Sequence, residues 1–173
     1  MHRFRFHLEV IILIIPFILI SLFVVLDQVS KWLIVANMNL GESVTVVPGL
    51  LDFTYTHNDG MALGIGNEAF RWIFIIVTVA VCAVLIYLMF KPDFKNKLYR
   101  ASVACIVGGG IGNLIDRLFN GYVVDFLSLS FFPPVCNIAD YFITAGTIFL
   151  VIYIIFYYGK KNKTSTEISE STE

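Results

Sequence analysis

Four aspartates, Asp27, Asp116, Asp125 and Asp140, stand at the edges of long apolar runs, accompanied by Lys31, Asn113, Arg117 and Asn137. Two carboxylates held close together do not both ionise readily. One keeps a proton while the other activates a water, and such a pair suits acid–base hydrolysis of an amide. The water attacks the carbonyl carbon, and the protonated partner donates to the carbonyl oxygen and later assists the leaving amine. Asp125, inside Val123-Val-Asp-Phe-Leu127, has no obvious local partner and is the strongest candidate for this work. Apolar surroundings would favour its protonated form. Asp140 follows Asn137 at a spacing that also reads as a helix N-cap with an acid in the first turn, where the helix macrodipole favours negative charge. Asp27 and Lys31 fall on one helical face, and an ion pair explains them without chemistry. Asn113, Asp116 and Arg117 share neighbouring helical positions, so Asp116 either neutralises Arg117 or joins the site. Asn137 or Arg117 would orient the acids or stabilise developing charge.

Competing chemistries find no support. The chain has no His–Glu zinc pattern, no Gly-x-Ser-x-Gly elbow and no phosphate-binding Gly-Lys-Ser/Thr loop, so neither metal nor cofactor is expected. Cys82, Cys105 and Cys136 lack metal or redox spacing. Cys82 and Cys105 lie inside apolar runs and read as small hydrophobes, and Cys136 has no histidine near it in sequence to act as base. Basic residues are not gathered with aromatics, which argues against nucleic acid. Gly108-Gly-Gly110 reads as a close helix-packing surface.

The elements that must position these groups belong in a bilayer. Hydrophobic residues make up 58% of the 173-residue chain and charged residues 14%, with a mean hydropathy of +0.81. A soluble domain carries about 25% charged residues. The expected fold is an all-α polytopic membrane protein whose transmembrane helices cover about 10–35, 72–90, 101–118 and 139–158. The first is read as a retained helix and not a cleaved leader, because its apolar run is too long and no small-residue cleavage site follows. Nine of the twelve basic residues fall at the termini or between the second and third helices, which predicts cytoplasmic termini. A small extracytoplasmic β element is expected at about 40–57, where two alternating runs flank Pro48-Gly49. The loop from about Leu118 to Cys136 opens on the turn pair Asn120-Gly121 and ends in Phe131-Phe-Pro-Pro134, an apolar segment suited to the interface. Residues 1–161 then form one membrane domain and 162–173 a disordered cytoplasmic tail, polar and rich in Ser, Thr and Glu.

The blocks Asp27-Gln-Val-Ser-Lys31, Asn58-Asp-Gly-Met-Ala62, Gly109-Gly-Ile-Gly-Asn-Leu-Ile-Asp-Arg117, Val123-Val-Asp-Phe126 and Asn137-Ile-Ala-Asp140 resemble, in order and context, those of the lipoprotein signal peptidase (signal peptidase II) family. The resemblance implies an aspartyl endopeptidase of the bacterial cytoplasmic membrane, without cofactor, acting at the outer leaflet. Its implied substrates are prolipoproteins whose lipobox cysteine carries a diacylglyceryl group, cut just before that cysteine. The implied catalytic pair is Asp125 and Asp140, supported by Asp27, Lys31, Asn58, Gly60, Asn113, Asp116, Arg117 and Asn137. Membrane lipid and globomycin-type inhibitors are the other implied partners, and the chain is expected to act as a monomer. Two positions depart from the family's usual pattern: Cys136 stands where Phe is usual, and Leu63 where an aromatic is common. The alternatives are a proton- or cation-coupled transporter using the acids as a relay, and an assembly subunit whose acids only cap helices and form ion pairs.

Overall fold

The computed structural model describes residues 2–60, 68–91 and 96–158, with side chains from Ile14 to Tyr157. The tail 162–173 and the positions of Met61, Ala62 and Leu63 lie outside these residues. Four helices are long and apolar enough to cross a bilayer among the described residues. They are α1 (His2–Asn37), α2 (Glu68–Met89), α3 (Lys97–Phe119) and α4 (Ile138–Tyr153), the last continued by a π-helical turn, Ile154–Tyr158. α3 starts ahead of its apolar run because Asn96 caps it, its side chain accepting from the Leu98 amide at 2.7 Å.

α3 is the hub of the bundle. About two thirds of its apolar window is buried, against 17–22% for the other three helices, whose outer faces carry side chains such as Ile76 and Trp32, 65% and 67% exposed. Such surfaces need lipid. Its glycines let all three neighbours approach. A side chain at Gly108 would strike Phe23 of α1, at Gly109 the Ala139 carbonyl of α4, and at Gly110 Cys82 of α2. Below them Met89, Tyr99, Val103, Val107 and Tyr153 form the buried core.

The β structure is larger than the sequence suggests. Strands β1 (Ser43–Val47) and β2 (Leu51–Asn58) lie in the expected region, joined through Gly49 at φ 72°. The loop between α3 and α4, for which the sequence suggests a turn and an interfacial apolar segment, supplies β3 (Val123–Leu129) and β4 (Phe132–Cys136), and the four strands form one antiparallel sheet in the order β1-β2-β3-β4. β3 occupies the edge of β2 left open by β1, pairing Thr56 with Asp125 and Asn58 with Val123. Pro133 and Pro134 cannot donate to a ladder, which suits β4 to the sheet edge. Asn120-Gly121 forms the turn that closes α3: both amides donate to the Asp116 carbonyl, at 2.8 and 3.2 Å, with Gly121 at φ 85°. Ile34, Tyr55, Val124 and Phe126 then pack the sheet onto the end of α1.

Candidate active site

All four aspartates meet where the sheet rests on the helix ends. Asp27 projects from α1 toward Gly112 of α3, and any side chain at Gly112 would collide with its Oδ2. The Lys31 ammonium lies 2.8 Å from Asp27 Oδ2 and 3.0 Å from Asp116 Oδ2, and donates to Asn113 Oδ1 at 2.8 Å. All three charged groups are at most 3% exposed. Asp116 therefore pairs with Lys31, not with Arg117, whose guanidinium instead sits 5.0 Å over the Phe74 ring. Asp27 Oδ1 accepts from the Ala139 amide at 3.0 Å, and Asp116 Oδ2 from the Val124 amide at 3.1 Å. One acid thus holds the first turn of α4 and the other the start of β3.

Those are the elements that carry the remaining two acids. Asn137 and Asp140 form a capping box: the Asn137 side chain accepts from the Asp140 amide and the Asp140 carboxylate from the Asn137 amide, each at 3.0 Å. The same Asn137 donates through Nδ2 to Asp125 Oδ1 at 2.6 Å and to Asn113 Oδ1 at 3.1 Å. Asp125 is 1% exposed and lies on β3, and its partners come from far along the chain, not from its own segment. Asn58 Nδ2 reaches its Oδ2 at 2.7 Å from across the sheet. Asn58 is in turn fixed by the Gly60 amide, which donates to its Oδ1 at 2.9 Å from a residue at φ 78°. Asp140 Oδ1 accepts from Asn113 Nδ2 at 2.9 Å. Burial pushes the Asp125 carboxyl up to about 6, with the nearby charge of Asp140 acting in the same direction. The amides of Asn58 and Asn137 and the Lys31 charge act against it.

Residues 19–156 match the family model described as signal peptidase (SPase) II. The chain belongs to the signal peptidase II family. It is 43% identical over 142 residues to the lipoprotein signal peptidase of Lactobacillus johnsonii, covering 81% of this chain and 92% of that one. Against the lipoprotein signal peptidase of Listeria monocytogenes serotype 4a it is 39% identical over 140 residues, or 79% and 90% of the two chains. Two solved bacterial membrane enzyme structures, each 32% identical, superpose with TM-scores of 0.77 and 0.74. They cover 82% of this chain and 93% of theirs in the first case, and 81% and 87% in the second.

In this signal peptidase II family member the half-buried Asp140 lines a cavity of about 360 Å³ with Leu129, Phe132, Cys136, Tyr141 and Thr144. Asp125 is buried and is joined to Asp140 through Asn137. Burial raises the Cys136 thiol, as do the charges of Asp140 and Asp125, which disfavours its thiolate. Two contributors escape a reading of the sequence. Gln28 Nε2 reaches Asp116 Oδ1 at 3.1 Å, the Gly112 carbonyl at 3.1 Å and Asp27 Oδ2 at 3.3 Å, tying α1 to α3. Its position beside Asp27 was the available signal. Phe74, which meets both Gly60 and Arg117, has no signal in the sequence, being one apolar residue in an apolar helix.

Proposed function

We propose that the chain is a lipoprotein signal peptidase that removes the signal peptide from diacylglyceryl-modified prolipoproteins, cutting just before the lipidated cysteine. The observation that carries the reading is the bridging of Asp125 and Asp140 by one asparagine, Asn137, at the wall of a cavity. Asp140 takes a proton from water while the hydroxide equivalent attacks the scissile carbonyl carbon. Asp125, protonated, gives its proton to the carbonyl oxygen. The tetrahedral species then collapses: the C–N bond breaks, Asp140 returns its proton to the departing cysteine nitrogen, and Asp125 recovers one from a hydroxyl of the new acid. Asn58, Asn113 and Asn137 hold the two carboxyls, with Asp27, Lys31 and Asp116 fixing the elements beneath them and Gly60 fixing Asn58. Arg117, with Asp140 and Asp125 among its electrostatic neighbours, steadies charge that develops during attack.

The gathering of Lys and Arg at the termini and between the second and third helices supports cytoplasmic termini and aspartates at the outer leaflet, where the scissile bond of a lipid-anchored substrate would lie. Asp116 stands near the end of α3 and Asp140 in the first turn of α4, whereas a transport relay would call for acids spread through the depth of the membrane. The test is cleavage of a diacylglyceryl-modified prolipoprotein by purified protein in detergent. Wild type should cut and be blocked by globomycin, while Asp125→Asn and Asp140→Asn should each lose cleavage. Activity surviving either substitution overturns the pair, and no cleavage by wild type overturns the substrate assignment.

A further inference from the structure

α2 carries none of the four aspartates and none of the three asparagines of the site, yet its first turns close on the loops that position them. The Phe74 ring lies against Gly60, where a side chain would come within 2.9 Å of Phe74 Cε2. One turn earlier on the helix, Arg71 meets the second loop, its Nη1 standing 3.0 Å from where a Cβ at Gly121 would fall. Gly60 and Gly121 flank the same end of the β2–β3 pair, where Asn58 is paired with Val123. Arg71 and Phe74 thus seat the start of α2 against both loops, and the Phe74 ring is lodged on the Gly60 backbone.

Over this ring, 5.0 Å from its centroid, stands the Arg117 guanidinium. Arg117 makes no salt bridge with an acid among the described residues, and Asp116 beside it is taken by Lys31. Asp140 and Asp125 are nonetheless among its electrostatic neighbours. An aromatic face attracts a cation through its quadrupole and takes up none of its N–H donors. An ion pair would place the guanidinium as well, but would neutralise it and occupy those donors. The ring instead leaves charge and donors to whatever becomes negative beside the acid pair. We propose that Phe74 is a positioning residue of the cleavage reaction, its ring face holding Arg117 ready to steady the developing charge. The proposal rests on the peptidase reading given above and adds a residue of α2 to it.

The test is cleavage of a diacylglyceryl-modified prolipoprotein by the full chain in detergent, with kcat and KM measured separately. Phe74→Leu keeps an apolar contact on Gly60 but has no ring face. It should lower kcat roughly three- to thirty-fold, the range of a cation–π contact, with KM little changed. Phe74→Tyr keeps the face and should cleave at close to the wild-type rate. Phenylalanine carrying one, two or three ring fluorines at position 74 keeps the shape while weakening the quadrupole, so kcat should fall stepwise with each fluorine. Wild-type kcat in Phe74→Leu overturns the proposal, as does a Phe74→Tyr variant as slow as Phe74→Leu. A flat fluorine series beside a slow Phe74→Leu would reduce the ring to packing and overturn it too, and so would a loss confined to KM. No cleavage by wild type is a different failure, which overturns the peptidase reading and takes this proposal with it.

Discussion

Replacing Asn137 separates its two tasks, capping α4 and donating to Asp125. Asn137→Ala removes both. Loss of an N-cap costs about 0.5–2 kcal/mol, and loss of a hydrogen bond to a charged group about 1.5–3 kcal/mol, so the variant should be about 2–5 kcal/mol less stable. Asn137→Asp keeps the cap, because aspartate accepts from the helix amide as well as asparagine does. It places an oxygen where Nδ2 now sits 2.6 Å from Asp125 Oδ1. Both variants lose the donor, so both should cleave roughly ten- to a hundred-fold more slowly, the same 1.5–3 kcal/mol read at the transition state. The pH profile adds a second readout. Cleavage requires the Asp125 proton and falls as pH rises and that proton is lost. The Asn137 hydrogen bond favours the carboxylate, so in Asn137→Ala the alkaline limb should move to higher pH. The assay is prolipoprotein cleavage across pH, paired with unfolding in a denaturing detergent. An Asn137→Asp variant that cleaves at the wild-type rate, or an Asn137→Ala variant with an unmoved alkaline limb, would refute the role given to this amide.

Lys31→Met should lose about 3–5 kcal/mol of stability in the same unfolding assay, since it strands Asp27 and Asp116 as buried charges without their partner. Wild-type stability should fall as pH rises from about 4 through about 6, because the folded state holds the Asp125 proton more tightly than the unfolded chain. Asp125→Asn should lack that fall, and parallel pH–stability curves would contradict the burial argument. Gly109→Ala pushes a methyl onto the Ala139 carbonyl and should cost about 1–3 kcal/mol, with cleavage lost alongside as α4 and its Asp140 are displaced. Cys136→Ser should retain cleavage, and loss of activity there would reopen the thiol reading.

What could be read from the sequence follows the range of each interaction. The Asp27–Lys31 pair and the Asn137–Asp140 box are local, within one helical turn, and spacing alone suffices for them. Lys31 and Asn113 are 82 residues apart, and no local pattern reveals that Lys31 serves Asp116 as well. β3 was missed for a different reason. Val123, Val124, Asp125 and Phe126 are all buried, Val124 and Phe126 in a cluster with Ile34 and Tyr55 and Asp125 against Asn137, so the alternation that marks a half-buried strand is absent. Asp125 has no local partner in the sequence, and strand pairing delivers Asn58 to it from the other loop. The helices were legible because lipid imposes a length and a composition that no tertiary contact overrides.

The three asparagines explain why so many uncatalytic polar groups surround two acids. A primary amide can present either its N–H₂ or its oxygen to a carboxylate, and the wrong face would set two acceptors together in a buried site. Each amide is oriented from its far side. Gly60 N–H donates to Asn58 Oδ1, the Lys31 ammonium to Asn113 Oδ1, and the Asp140 amide to Asn137 Oδ1, which leaves every Nδ2 facing an acid. Of the three anchors, Lys31 alone carries charge, and it stays in place because Asp27 and Asp116 clamp it. Asp27 and Asp116 therefore act at two removes, through a lysine and an amide, on the geometry of Asp140. A conservative Lys31→Arg exchange tests this chain of orientation. Arginine keeps the charge but offers a planar fork in place of a compact ammonium, so it should preserve part of the stability that Lys31→Met loses while still slowing cleavage. Equal activity in wild type and Lys31→Arg would show that charge alone suffices and that Asn113 needs no such anchor.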